Sequence, residues 1–202
     1  MTREREHDRR SIRLHGYDYR AAGAYFVTVC AHDKSCLFGR TMDGSVRVNA
    51  LGGIVFQSWE GINEHFANAY PQEFVVMPNH FHGIISIHDP ATGMWLGLPR
   101  PAAQPCVGAG LPRPYTHEPS PIARPTLGQI VAYFKYQSTK RINELRGTPG
   151  STVWQRNYYE HIIRNETEMA NVRFYIQRNP GRWASDRENP DRSSEPETQP
   201  WE

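Results

Sequence analysis

Hydrophobic positions along this chain fall into runs of two kinds. Tyr25 to Ala31 is apolar and rich in β-branched residues, which predicts a first strand. Leu37-Phe38 and Ser45-Val46-Arg47-Val48 flank Asp43-Gly44, a dipeptide suited to a tight hairpin turn. From Leu51 to Phe66 the period lengthens: Leu51, Ile54, Val55, Trp59 and Ile62 share one helical face. Phe74 to Ile87 is apolar on both sides of Met77-Pro78-Asn79 and predicts two buried strands joined there. A second amphipathic helix spans Leu127 to Arg146, with Leu127, Ile130, Val131, Phe134, Ser138, Ile142 and Leu145 facing inward. Trp154 to Ile163 predicts a last strand and Thr167 to Arg178 a last helix. Asn165 is an N-cap candidate with Glu168 three residues on, a capping-box pattern, and Pro180-Gly181 stops the helix. Strand, hairpin, helix, strands, helix, strand, helix is an order that suits an α+β fold, an antiparallel sheet with helices packed mainly on one face.

Three stretches fall outside this pattern. Residues 1–20 form a basic N-terminal arm, of which 1–10 carry no apolar periodicity. Residues 94–125 are rich in Pro and Gly and repeat Gly-Leu-Pro-Arg-Pro at 97–101 and 110–114, as expected of a flexible insertion within a domain spanning 21–183. Residues 184–202 are polar and Pro-containing and read as a disordered tail.

Within 202 residues there is room for one well-packed domain. No apolar run approaches about 18 residues, so no membrane span is expected. The three cysteines, Cys30, Cys36 and Cys106, are irregularly spaced. That argues against a disulfide framework and for a reducing, cytoplasmic setting. Cys30, His32 and Cys36 lack the second Cys/His pair of a zinc finger. A net charge of +2 says little by itself, but the basic residues are unevenly placed. Arg3, Arg5, Arg9, Arg10, Arg13 and Arg20 crowd the first twenty positions. Lys135, Lys140, Arg141, Arg146, Arg156, Arg164, Arg173, Arg178 and Arg182 occupy the last third. Cations beside aromatic residues suit a nucleic-acid groove, and they equally suit solvated helix faces.

The candidate chemistry lies in His80-Phe81-His82. Alternate residues of a strand share a face, so the two imidazoles project together and Phe81 turns away. Such a pair can hold one divalent ion; the plainer reading is one core and one surface histidine. On the last helix Met169, Val172 and Ile176 form the apolar stripe. Tyr175 lies at its border, and Asn179, four residues on, is its neighbour on the same side. A tyrosine there can reach a ligand, or can simply pack.

Taken together, Ser11 to Tyr19, Gly23 to Cys30, Met77-Pro78-Asn79-His80-Phe81-His82-Gly83, Trp154 to Asn165 and Tyr175-Ile176-Gln177-Arg178-Asn179-Pro180 give a specific combination in a fixed order. On these motifs the chain resembles the REP-associated tyrosine transposases, within the single-tyrosine HUH transposases, over roughly residues 10 to 183 apart from the insertion. The resemblance implies a ferredoxin-like variant of the HUH fold. It implies cleavage and rejoining of single-stranded or hairpin DNA through a 5′-phosphotyrosine on Tyr175. It also implies Mg²⁺ or Mn²⁺ held by His80, His82 and Asn179, and a protein that works at the nucleoid, as a monomer or homodimer. Arg5, Arg9, Arg10, Arg13, Lys135, Arg156 and Arg178 are the DNA-contact candidates. Tyr158 and Tyr159, close to His161, are rival nucleophiles. Two other functions remain open: a hairpin-binding protein without catalysis, and a metal-dependent nuclease that activates water.

Overall fold

A computed structural model describes residues 16–89 and 124–192. The arm arginines Arg5, Arg9, Arg10 and Arg13, most of the 94–125 insertion and the last ten residues lie outside this range. The elements are β1 (Gly23–Cys30), β2 (Gly39–Met42), β3 (Ser45–Val48), α1 (Ala50–Glu60), α2 (Ile62–His65), β4 (Ala69–Val76), β5 (His80–Ile87), α3 (Leu127–Arg146), β6 (Tyr159–Ile163) and α4 (Glu166–Arg178). Short 3-10 turns occupy His32–Lys34 and Asn179–Ser185.

β4, β5, β1 and β6 pair in that order, each antiparallel to its neighbours. Helical connections run from β1 to β4 and from β5 to β6. This is the interleaved βαβ arrangement of ferredoxin-like sheets, and it makes the fold α+β. β2 and β3 form a separate hairpin, with Asp43 at φ 52° and Gly44 at φ 72°, the pair of positive angles its tight turn requires.

Both faces of the sheet are covered, so β1 and β5 are buried along almost their whole length, polar His80 and His82 included. Tyr25, Val27, Val29, Phe81, Ile85 and Ile87 pack under α1, α2 and α3, around Trp59 and Phe134. The alternate residues Ala24, Phe26 and Ile84, with Ile163, meet Met169, Val172 and Ile176 of α4 on the opposite face. Trp59 lies 4.6 Å from the Phe81 ring and 5.2 Å from Phe134. A Cβ at Gly83 would come within 2.7 Å of Phe81 and 2.8 Å of Trp59, so only glycine lets the indole lie against β5.

Four details depart from the sequence reading. The helix expected over 51–66 breaks at Gly61, which leaves Ile62 buried at the start of α2. The strand expected over 154–163 pairs only from Tyr159. Lys135 Nζ donates to the carbonyls of Gln155 and Arg156 and draws that stretch off the sheet, while Trp154 makes a lone bridge to Ala31 and bonds Ser138 Oγ at 2.9 Å. Leu145 is 59% exposed and Asn143 is buried in its place, because Asn143 Nδ2 holds the following loop through the Ser151 carbonyl. The folded domain does not stop at 183. Residues 184–192 are ordered by their own polar groups: Asp186 accepts from the Glu188 amide, Asn189 donates to the Trp183 carbonyl, and Glu188 pairs with Lys34 at 3.2 Å.

Candidate metal centre and nucleophile

The site forms where β5 meets the α4 side of the sheet. His80 lies opposite Cys30 and His82 opposite Thr28 in the β1 register. Both imidazoles are buried, their Nε2 atoms 3.0 Å apart. Thr28 Oγ1 lies 2.8 Å from His82 Nδ1.

Asn79 sets the state of His80. Its Nδ2 donates to the carbonyls of Lys34 and Glu188, at 3.0 and 2.7 Å, which turns its Oδ1 toward His80 Nδ1 at 2.8 Å. A carbonyl oxygen can only accept, so Nδ1 carries the proton and Nε2 presents a lone pair. Burial, aided by Lys34, pushes the His80 pKa down to about 3. Burial, then His80, likewise push His82 well below its ordinary value, against the pull of Asp186. Both rings are therefore neutral near pH 7. When the His82 Nδ1–H donates to Thr28 Oγ1, the two Nε2 lone pairs face one another.

Asp186 completes the group. Its carboxylate is buried and lies 3.7 Å from His80 Nε2, and ligand atoms of His80, His82 and Asp186 all fall within 4.8 Å of one another. Burial raises the Asp186 pKa, opposed by His82 and by the Glu188 amide. The side-chain amide of Asn179, just past α4, hydrogen-bonds Tyr175 and Asp186, and its buried Oδ1 has no partner among the described residues. Two neutral nitrogens and a carboxylate, with an unpartnered amide oxygen nearby, are a donor set that fits a divalent cation. The 3.0 Å nitrogen spacing matches adjacent positions on an octahedral ion with bonds of about 2.1 Å, which span about 3 Å.

Tyr175 stands over this group. Its ring is T-shaped against His82 at 5.3 Å and against Phe26 at 5.9 Å. Burial, then Asp186, push its pKa above the ordinary 10.0, while the Asn179 hydrogen bond pulls it back. Of the rival tyrosines, Tyr158 packs with the opposite core, and Tyr159 shares the site's face but stands on β6, beyond β1.

His80, His82, Tyr175 and Asn179 are thus brought together. Asp186 is the member the sequence reading missed. Its signal was the run of turn-forming Asp and Asn residues after Trp183, which a polar-tail reading passed over. The DNA-contact candidates divide. Lys135 has two donors on backbone carbonyls. Arg156 and Arg178 are exposed, and Arg178 lies over the Phe174 ring. Among the described residues no helix is long and apolar enough to cross a membrane.

Fold and site together define an α+β protein with a buried His-His-Asp group beside a helical tyrosine. No protein-family model matches the chain. It is 42% identical over 181 residues to an uncharacterized protein of Haemophilus influenzae, covering 89% of this chain and 92% of that one, and it belongs to the same family. It is similar in shape to a REP-associated tyrosine transposase solved bound to a REP hairpin (TM-score 0.49, 16% identity, 83% of this chain and 72% of that chain). It is also similar to a putative transposase of Deinococcus radiodurans (TM-score 0.42, 14% identity, 82% and 95%).

Proposed function

We propose that this chain is a transposase-like DNA strand transferase, which cleaves and rejoins single-stranded, hairpin-flanked DNA through a phosphotyrosine on Tyr175. The observation that carries the reading is the convergence of one phenol, two facing neutral imidazoles and a buried carboxylate on a single face of the sheet. The motifs quoted from the sequence point to the same chemistry.

In the reaction, Tyr175 Oη attacks phosphorus and the bond to the 3′ oxygen breaks. The 5′ phosphate stays on the enzyme as a diester, and the phenolic proton is finally carried by the released 3′ hydroxyl. Attack by that hydroxyl, or by another 3′ end, reverses the step without an external energy source. His80 and His82, with Asp186 or Asn179, would hold a divalent ion such as Mg²⁺ or Mn²⁺, which would supply Lewis acidity toward the phosphate. The protein's own residues prepare the site. Asn79 and Thr28 orient the imidazoles, burial keeps them neutral, and Asn179 aligns the phenol. Arg178 and Arg156, with the arm arginines Arg5, Arg9, Arg10 and Arg13, grip the backbone of the strand.

The test is incubation with single-stranded hairpin oligonucleotides from the flanks of the chain's own gene, with Mn²⁺ or Mg²⁺, resolved on a denaturing gel. The expected result is a covalent protein–DNA band that chelator prevents and Tyr175→Phe abolishes, with hairpin binding nearly unchanged in the variant. Cleavage without an adduct would assign the attack to water. Binding without cleavage would make the protein a hairpin binder. An adduct mapping to Tyr158 or Tyr159 would displace Tyr175.

A further inference from the structure

Phe174 takes no part in the metal centre or in the core beneath α4. It precedes Tyr175, yet it is 57% exposed, the ring of a large apolar side chain held in water on a well-formed helix. The core of this side of the sheet uses Met169, Val172 and Ile176, and at about 100° per residue Phe174 falls on the far side of α4 from that stripe. The Arg178 guanidinium lies over its ring, 5.0 Å from the centroid. Arg178 follows Phe174 by four residues and Tyr175 by three, and Asn171 precedes them by three and four. Asn171, Phe174, Tyr175 and Arg178 are therefore neighbours on one surface of the helix. That surface runs from the phenol at the metal centre, across a cation, to an exposed aromatic ring.

We infer that Phe174 and Arg178 form a stacking platform for a nucleobase next to the phosphate that Tyr175 attacks; the inference rests on the function proposed above. A ring face binds any base with little regard to sequence, and a guanidinium beside it contributes both a stacked plane and a charge for the adjoining phosphate. The platform and the nucleophile share one rigid helix. Stacking a base on the first therefore fixes the position of its phosphate over the second, which a platform on a loop would do less well. Phe174 is a positioning residue that acts through the substrate, and its occupant is the base of a single-stranded nucleotide, since a base inside a duplex has both faces covered by its stacked neighbours.

The experiment uses full-length protein and the same fluorescently labelled hairpin oligonucleotides, each in intact form and with an abasic nucleotide immediately 5′ or 3′ of the cleavage point. Binding and adduct rate are both read. Phe174→Ala removes an exposed ring, so the fold is retained, and a matched melting curve verifies that. About tenfold weaker binding of intact oligonucleotide is expected, with a parallel fall in adduct rate at subsaturating DNA. Phe174→Trp should retain affinity and Phe174→Leu should not. Phe174→Ala should have little further effect on the one abasic oligonucleotide whose missing base it contacts. Unchanged affinity and rate in Phe174→Ala, alongside a wild-type adduct, would overturn the platform and leave the proposed function standing. Full additivity with both abasic sites would also overturn it, as would a lost self-association with unchanged DNA affinity. Failure of the wild type to bind or join any of the oligonucleotides would overturn both.

Discussion

The protonation of His80 is dictated by a neighbour that is itself held from elsewhere. Asn79 reaches two carbonyls, of Lys34 and Glu188, and so has only its oxygen left for the imidazole. An alanine at 79 removes that constraint while leaving both histidines on β5. Metal-bound histidines that lose such an orienting partner typically lose about 10–100-fold in metal affinity. Asn79→Ala is therefore expected to bind Mn²⁺ more weakly by that order, as titration calorimetry or Mn²⁺ electron resonance would measure. Equal affinity in the variant would mean that the strand alone fixes the rings. The His pair was legible in the sequence because a period of two is a local property of a strand. Asp186 was not, because its approach to His80 depends on a turn after α4 and on bonds to Asn79 and Lys34, which are distant in sequence.

At the scale of elements, β5 carries opposite demands on its two faces. His80 and His82 must sit in the polar pocket, while Phe81 and Gly83 must admit the Trp59 indole. Gly83→Ala places a methyl where two buried rings already lie. Overpacking of this kind costs about 1–3 kcal/mol, so urea unfolding should show a loss of that size. A variant as stable as the wild type would show that the Trp59 packing can relax. α4 offers a different test. Glu168 accepts from His161 at 2.7 Å and from the Arg164 amide at 2.6 Å, so its carboxylate ties β6 to the start of the helix. Burial alone would raise its pKa, but these bonds outweigh burial and lower it below 4.5. A carboxylate depressed in the folded state stabilises the fold above its unfolded pKa, and that contribution is lost as pH falls through the folded one. Glu168→Gln should therefore be less stable than wild type at pH 7 by about 1 kcal/mol, with the gap closing as the pH drops below the ordinary carboxylate range. A gap that persists in acid would trace to packing and not to charge. The sequence pattern suggested a full capping box here. Only half of it forms, since Asn165 caps the Glu168 amide while the Glu168 carboxylate turns to Arg164 and His161. The choice depends on β6 lying alongside, which no local pattern encodes.

For the whole molecule, the question is where the folded unit ends. Composition placed the boundary at 183, because the residues beyond it are polar and contain proline. A polar segment with no partner stays unfolded, but these residues find partners because the core of the site is itself polar. Asn79 needs acceptors, His80 faces a carboxylate, and Lys34 needs a counter-charge. The 186–188 stretch supplies the Glu188 carbonyl, the Asp186 side chain and the Glu188 carboxylate in turn. A chain ended at 183 should leave a buried Asn79 N–H without its acceptor, at a cost of about 1–3 kcal/mol, and should remove one metal-ligand candidate. A chain ended at 192 keeps every one of these contacts. Melting curves with and without Mn²⁺ should therefore rank the 1–192 chain with the full-length protein. The 1–183 chain should melt lower and gain less from the metal, since stabilisation by a ligand scales with its affinity. If the shorter chain instead matched full length in both melting temperature and Mn²⁺ response, residues 184–192 would be dispensable to the site, and His80, His82 and Asn179 alone would have to hold the ion.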